Sequence, residues 1–140
     1  MKRYLLDTNA LSEVSKKSPN AAYMKWLNSV DEIYLYTSSL VLGEIKKGIE
    51  LLPDGVRRAT FSDSLDKVME SFDGRIVDVS LEASLLWGKL SAKAQLGGWS
   101  APPVDAFIAA QCIQNNLVVV TRNVKDFDQF PNLQILCPWK

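Results

Sequence analysis

Histidine is missing from all 140 residues of the chain. That absence removes the imidazole base of Ser-His-Asp and Cys-His catalysis, together with the imidazole ligand of zincins and most zinc fingers. Cysteine is scarce. Cys112 and Cys137 lie far apart with no paired-thiol spacing, which excludes a disulfide framework or a thiolate metal site and fits a reducing cytoplasm. Net charge is absent as well, with 16 Lys and Arg against 16 Asp and Glu, so no global basic field draws in nucleic acid and any polyanion site must be local. No apolar run approaches the roughly 18 residues of a membrane span. After the basic start Met1-Lys2-Arg3, only Tyr4-Leu5-Leu6 precede Asp7, too short an apolar stretch for a signal peptide. Neither a Walker A nor a GxGxxG pattern occurs, which counts against an NTPase or a dinucleotide enzyme. Any chemistry is left to acids, hard cations or the backbone.

What is present reads as one ordinary domain over 1–140, with 47% hydrophobic and 23% charged residues. Tyr4 to Leu6 and Leu117 to Val120 are short continuous apolar runs, as expected of parallel strands covered on both faces. Shorter strands are expected at Ile33 to Thr37, Arg75 to Val79 and Leu133 to Leu136. Helical spacing relates Tyr23, Trp26, Leu27 and Val30, then Val41, Ile45, Gly48, Ile49 and Leu52, then Phe61, Leu65, Val68, Met69 and Phe72. A fourth stripe, Ala83 to Ala94, has Ser80 as its N-cap, and a fifth helix is expected over Val104 to Asn115. Alternating strands and helices predict an α/β fold with right-handed crossovers around a mostly parallel sheet. The Gly97-to-Pro103 segment is the longest irregular break and leads into the last helix, the best position for a loop that shapes a site.

Open α/β sheets bind ligands at the carboxyl ends of their strands, and acids stand there. Asp7 ends the first strand, while Asn123 and Asp126 follow the Leu117 to Val120 strand. Each alone is equally well an N-cap or turn former. Glu44 lies three residues after Val41 and one before Ile45, a spacing that puts it on the core-facing stripe. Asp105, with Ile108, Ala109 and Cys112 following it, places a carboxylate beside the apolar face of its helix. Singly, each could be neutralised by Lys or Arg, or act as a helix cap. As a set brought to one sheet edge without an obvious basic partner, they repel one another unless a cation sits among them. All-oxygen ligands point to Mg²⁺ or Mn²⁺ rather than zinc, and phosphodiester hydrolysis is the natural reaction for such a site.

Leu5-Leu6-Asp7-Thr8-Asn9-Ala10-Leu11-Ser12-Glu13, Gly43-Glu44-Ile45 with Gly48, Val104-Asp105-Ala106-Phe107-Ile108-Ala109-Ala110, and Val120-Thr121-Arg122-Asn123 with Asp126-Phe127 resemble the PIN-domain family. The likeness is closest to the small toxin ribonucleases of VapC and FitB type and covers essentially the whole chain. It implies a three-layer PIN fold, a five-stranded mostly parallel sheet flanked by helices, and a Mg²⁺- or Mn²⁺-dependent endoribonuclease neutralised by a cognate antitoxin. By motif, Asp7, Glu44 and Asp105 match the three principal acidic positions. Asn123 stands at the fourth, where it offers a neutral amide oxygen, and Asp126 could supply a carboxylate one turn later. Thr8, Asn9 and Thr121 would orient carboxylates or water. A toxin of this type implies RNA as substrate, a homodimer or a hetero-oligomer with the antitoxin, and a cytoplasmic location. Alternatives are a non-catalytic PIN-like binding module acting through a DNA-binding partner, and a DNA-directed nuclease.

Several further residues carry a functional and a structural expectation side by side. Trp99 could stack on an RNA base or seal a core edge. Lys46, Lys47, Arg122 and Lys125 could hold phosphates or simply be solvated. Cys112 is expected to pack as a small hydrophobe. An inhibitory partner is expected to place an Arg among the carboxylates and to lay its tail in an apolar groove around Trp26 and Val41 to Ile49.

Overall fold

In the computed structural model, which describes residues 1–139, the apolar runs become the strands of one parallel sheet. These are β1 (Tyr4–Leu6), β2 (Leu35–Ser38), β3 (Ile76–Val77), β4 (Val118–Val120) and β5 (Ile135–Leu136). They lie in the order β3-β2-β1-β4-β5, with every pairing parallel and Tyr4 in register with Leu35 on one side and Val118 on the other. Leu5, Val119 and Val120 are fully buried, as central strands covered by helices on both faces must be.

Among the described residues six α-helices cover the sheet: α1 (Thr8–Glu13), α2 (Ala21–Ser29), α3 (Ser39–Glu50), α4 (Val56–Ser71), α5 (Leu81–Leu96) and α6 (Pro103–Asn115). Short polar side chains start most of them. Asp7, Asn20, Ser38 and Ser80 each accept an amide hydrogen bond at the first turn, satisfying donors that the helix cannot. Pro103 opens α6 at a position where its missing N–H costs nothing, and Asn116 closes it in the left-handed region with φ 54°. Ala106, Ile108, Ala109, Ala110 and Cys112 bury almost completely against the sheet and neighbouring helices. Each large side chain so buried contributes about 1.5–3 kcal/mol of transfer free energy.

The outer strands are shorter than expected, and the one in the second region is shifted. Glu32–Tyr34 form a 3₁₀ turn capped by Asp31, so β2 begins only at Leu35. The edge strands β3 and β5 keep two residues each, because a strand with one neighbour has half the ladder to hold it, and short edges also resist unwanted pairing. Between α6 and α3 runs a buried polar link: the Ser38 hydroxyl donates to Gln111 Oε1 at 2.7 Å, with both residues fully buried. It ties the helices that carry Asp105 and Glu44.

The chain builds outward from β1 through β2 to β3, then returns to place β4 on the other side of β1. The carboxyl ends of β1 and β4 therefore flank the point where strand order reverses, the position at which open α/β sheets leave a crevice.

Candidate active site

At that reversal the Asp7 amide donates to the Val120 carbonyl at 3.1 Å, so the residues that follow β1 and β4 emerge side by side. Asp7 is buried and its Oδ1 accepts from the Ala10 amide at 2.9 Å. Burial raises its pKa above the ordinary carboxylate value, against the hydrogen bonding of Thr121 and of the Ala10 and Asn9 amides, and Glu44 adds to the rise. Thr121, fully buried, accepts the Asn123 amide at 2.9 Å and so fixes the turn that carries Asn123 and Asp126.

Asp7, Glu44, Asp105 and Asp126 all line one pocket of about 210 Å³, together with Thr8, Asn9 and Asn123. No Lys or Arg lines it, and none of the four acids forms an ion pair among the described residues. Asp105, half-buried in the first turn of α6, has its pKa raised to about 6, first by burial and then by the charges of Asp126, Glu44 and Asp7. Asp126 heads those neighbouring charges, while Asn123 is exposed at the pocket edge.

Glu44 departs from expectation. It is exposed, not on the core-facing stripe. The buried face of α3 is set by Val41, Leu42 and Ile49 with Ile45 beside them; at about 100° per residue, Glu44 falls about a third of a turn from the centre of that face. Burial therefore does not demand a partner for it. The contact that holds it over the pocket is the Thr8 hydroxyl, which donates to Glu44 Oε1 at 2.5 Å.

The chemistry of this donor set fits a hard divalent cation: oxygen ligands only, four carboxylates, no compensating base among the described residues, and an Asp105 pKa raised by burial first and then by the neighbouring carboxylates. Among the described residues the acids are not yet disposed as a finished metal centre.

Two larger, mainly apolar cavities lie elsewhere. One, about 590 Å³, includes Leu11, Leu27, Val30 and Phe72; the other, about 550 Å³, includes Leu11, Ile45, Ile49, Phe61 and Leu65. Both run along α1. The expected groove is met in part: Ile45 and Ile49 line the second cavity, whereas Trp26 and Val41 line neither, because Trp26 packs edge-on against Tyr4 at 5.2 Å and Val41 is fully buried in the core. Cys112 is buried, as a packing role requires. Lys46 pairs with Glu50 at 3.4 Å, and Trp99 packs edge-on against Phe130 at 4.9 Å.

Two polar groups gave no usable signal in the sequence. Glu13, nearly fully buried, accepts from the Asn20 amide at 2.9 Å and from Lys16 Nζ and Trp139 Nε1 at 3.0 Å. These donors, the Asn20 amide foremost, pull its pKa down to about 2. Gln111 sits inside the apolar run of α6. Both hold the scaffold, and neither lines the acidic pocket.

Comparison with known proteins agrees with this geometry. The PIN domain description matches residues 4–133. The chain is 31% identical over 137 residues to the plasmid stability protein StbB of Pseudomonas syringae pv. tomato, covering 97% of this chain and 98% of that protein. It is likewise 31% identical over 137 residues to the VapC ribonuclease Y4jK of Sinorhizobium fredii, covering 97% of each. Among solved structures, FitAB bound to an IR36 DNA fragment superposes with a TM-score of 0.90 at 26% identity, over 98% of this chain and 96% of that one. A full-length family match, two full-length relatives and a shared fold leave one assignment: the chain belongs to the PIN domain family.

Proposed function

We propose that this protein is a divalent-cation-dependent endoribonuclease and the toxin of a toxin–antitoxin pair. The observation that carries the chemistry is the pocket at the β1/β4 reversal, where Asp7, Glu44, Asp105 and Asp126 gather with no base from the described residues among them. Asp7, Glu44 and Asp105 would hold Mg²⁺ or Mn²⁺, with Asn123 and Asp126 at its margin. A cation there supplies positive charge beside a scissile phosphate and lowers the pKa of water for in-line attack.

The chain's own groups do the positioning. Asp7 is locked by its capping bond to α1, Glu44 is oriented by Thr8, and Asp105 rides on a helix whose middle, Ile108 to Cys112, is buried. These anchors fix the element from which each carboxylate reaches the shared pocket. Cleavage should leave 5′-phosphate and 3′-hydroxyl ends.

The relatives named ribonuclease and plasmid stability protein, and the FitAB structure on DNA, support a nuclease that works with a DNA-binding antitoxin. The two apolar grooves along α1 offer such a partner a place for its tail. An Arg from that tail among the carboxylates would compete with the cation. The assembly is then a homodimer or a hetero-oligomer with the antitoxin. No described helix is long and apolar enough to cross a membrane, and the cytoplasm is where an RNA substrate is met. The test is cleavage of RNA by the purified chain in Mg²⁺ or Mn²⁺, set against EDTA and Asp105→Asn. Cleavage indifferent to both would leave the non-catalytic binding module as the better account.

A further inference from the structure

Helix α5 is apolar on two opposite faces. One carries the buried Ala83 and Leu90, and beside them Trp87 stacks on Phe107 of α6 with ring centroids 4.6 Å apart. On the other, Leu81, Leu85 and Leu96 are exposed by 70%, 68% and 89%. Gly88 and Ala92 complete that stripe: at about 100° per residue the five positions fall within about 80° of one another, on the side away from Leu90. A helix apolar on every side belongs between two layers, and the described residues supply one.

Gly88 stands in the middle of the stripe. A glycine inside a helix is destabilising relative to alanine, and nothing described in the chain requires this one, since a Cβ there would meet no atom within 4 Å. What its missing side chain does allow is the close approach of another backbone.

The stripe is also nearly palindromic about Gly88 and Lys89. Laid antiparallel on a second copy across a two-fold axis at that point, Leu81 meets Leu96 of the second copy, Leu85 meets its Ala92, and the two glycines lie by the axis. The flanking charges agree with that register. Glu82, Lys89 and Lys93 line one side of the stripe, and none of them forms an ion pair among the described residues. An antiparallel two-fold brings like flanks together, so Glu82 of each copy comes beside Lys93 of the other, less than a helical turn away along the axis. A parallel pair would set Glu82 level with Glu82 instead.

We propose that this face is a self-association surface, through which two copies of the chain pair α5 against α5, antiparallel, in a symmetric contact centred on Gly88. The pairing gives the homodimer reading its surface and is independent of the nuclease chemistry.

The test is sedimentation equilibrium of the purified chain, free of antitoxin, over about 1 to 100 μM, because self-association follows concentration. The unaltered chain should reach a two-chain mass. Gly88→Leu and Leu85→Lys should each weaken the dimer about tenfold or more while keeping the helix content seen by circular dichroism, because both positions are open in the single chain. Glu82→Lys should weaken it about fivefold, and adding Lys93→Glu should restore it, as the antiparallel register requires. Failure of that double exchange to restore the dimer would overturn the register. A dimer indifferent to Gly88→Leu and Leu85→Lys would overturn the surface, and so would a chain that stays monomeric throughout, which is also what a stripe reserved for the antitoxin would give. RNA cleavage by the same preparations is read separately: a cleaving monomer overturns the pairing and leaves the nuclease standing, whereas a dimer that cleaves nothing does the reverse.

Discussion

The Thr8 hydroxyl donates to Glu44 Oε1 at 2.5 Å, joining the residue that follows Asp7 to an exposed carboxylate on α3. Without that bond nothing described holds Glu44 toward Asp7 and Asp105. Thr8→Val, which keeps the shape and removes the donor, should weaken Mn²⁺ binding about tenfold or more, the usual cost of losing a group that orients a ligand. Thr8→Ser should restore it. Calorimetric titration with Mn²⁺ measures both, and equal affinity in all three proteins would refute the positioning role.

Asp105 pays for its surroundings. Its carboxylate is partly buried and faces Asp126, Glu44 and Asp7, so in metal-free protein at neutral pH the charge works against folding. Asp105→Asn should leave metal-free protein as stable as the unaltered chain or more so, while abolishing most of the rise in melting temperature that millimolar Mg²⁺ or Mn²⁺ produces. Thermal melts with and without cation decide it. An unaltered chain whose melting point ignores both ions at saturation contradicts the metal site.

Glu13 works with the opposite sign. Its folded pKa of about 2 lies below the ordinary value of 4.5, so the stability it supplies is complete above pH 4.5 and is lost as pH falls from there through 2. Glu13→Ala leaves the Asn20 amide and Trp139 Nε1 without their acceptor and should cost about 2–4 kcal/mol at pH 7. Urea melts at pH 7 and pH 3 should show the gap between the two proteins narrowing in acid. A constant gap would show that the charge contributes nothing.

Inhibition by the partner should compete with the cation, because both seek the same carboxylates. Replacing the partner's inserted Arg with Ala should restore cleavage before it abolishes binding, since the tail retains the apolar grooves along α1. Cleavage and co-elution assays on the same complex separate the two effects. Loss of binding and of inhibition together would place the affinity in the pocket instead.

Much of this was legible in the sequence because it rests on local rules. Continuous apolar runs marked β1 and β4, Ser80 marked the start of α5, and the strand-end positions of Asp7 and Asp126 followed from the way open sheets carry their sites. What was not legible depends on partners distant in sequence. The six residues of α1 are too few to show a period. The edge strands were shortened by having one neighbour. Spacing to Val41 and Ile45 alone put Glu44 on the stripe, whereas the buried face is centred by Leu42 and Ile49 as well, about a third of a turn away; its tether to Thr8 spans 36 residues. The Glu13–Trp139 bond spans 126, and no periodicity reports such a contact.

The most direct measurement is the rate of RNA cleavage by purified chain, free of partner, across Mg²⁺ and Mn²⁺ concentrations and in EDTA, beside Asp7→Asn, Glu44→Gln and Asp105→Asn variants shown to be folded by circular dichroism. The account predicts cleavage that saturates with cation, disappears in EDTA and falls at least about a hundredfold in each variant, because each keeps its shape and loses a charge the cation needs. Full cleavage in EDTA, or by any of the three folded variants, would contradict it.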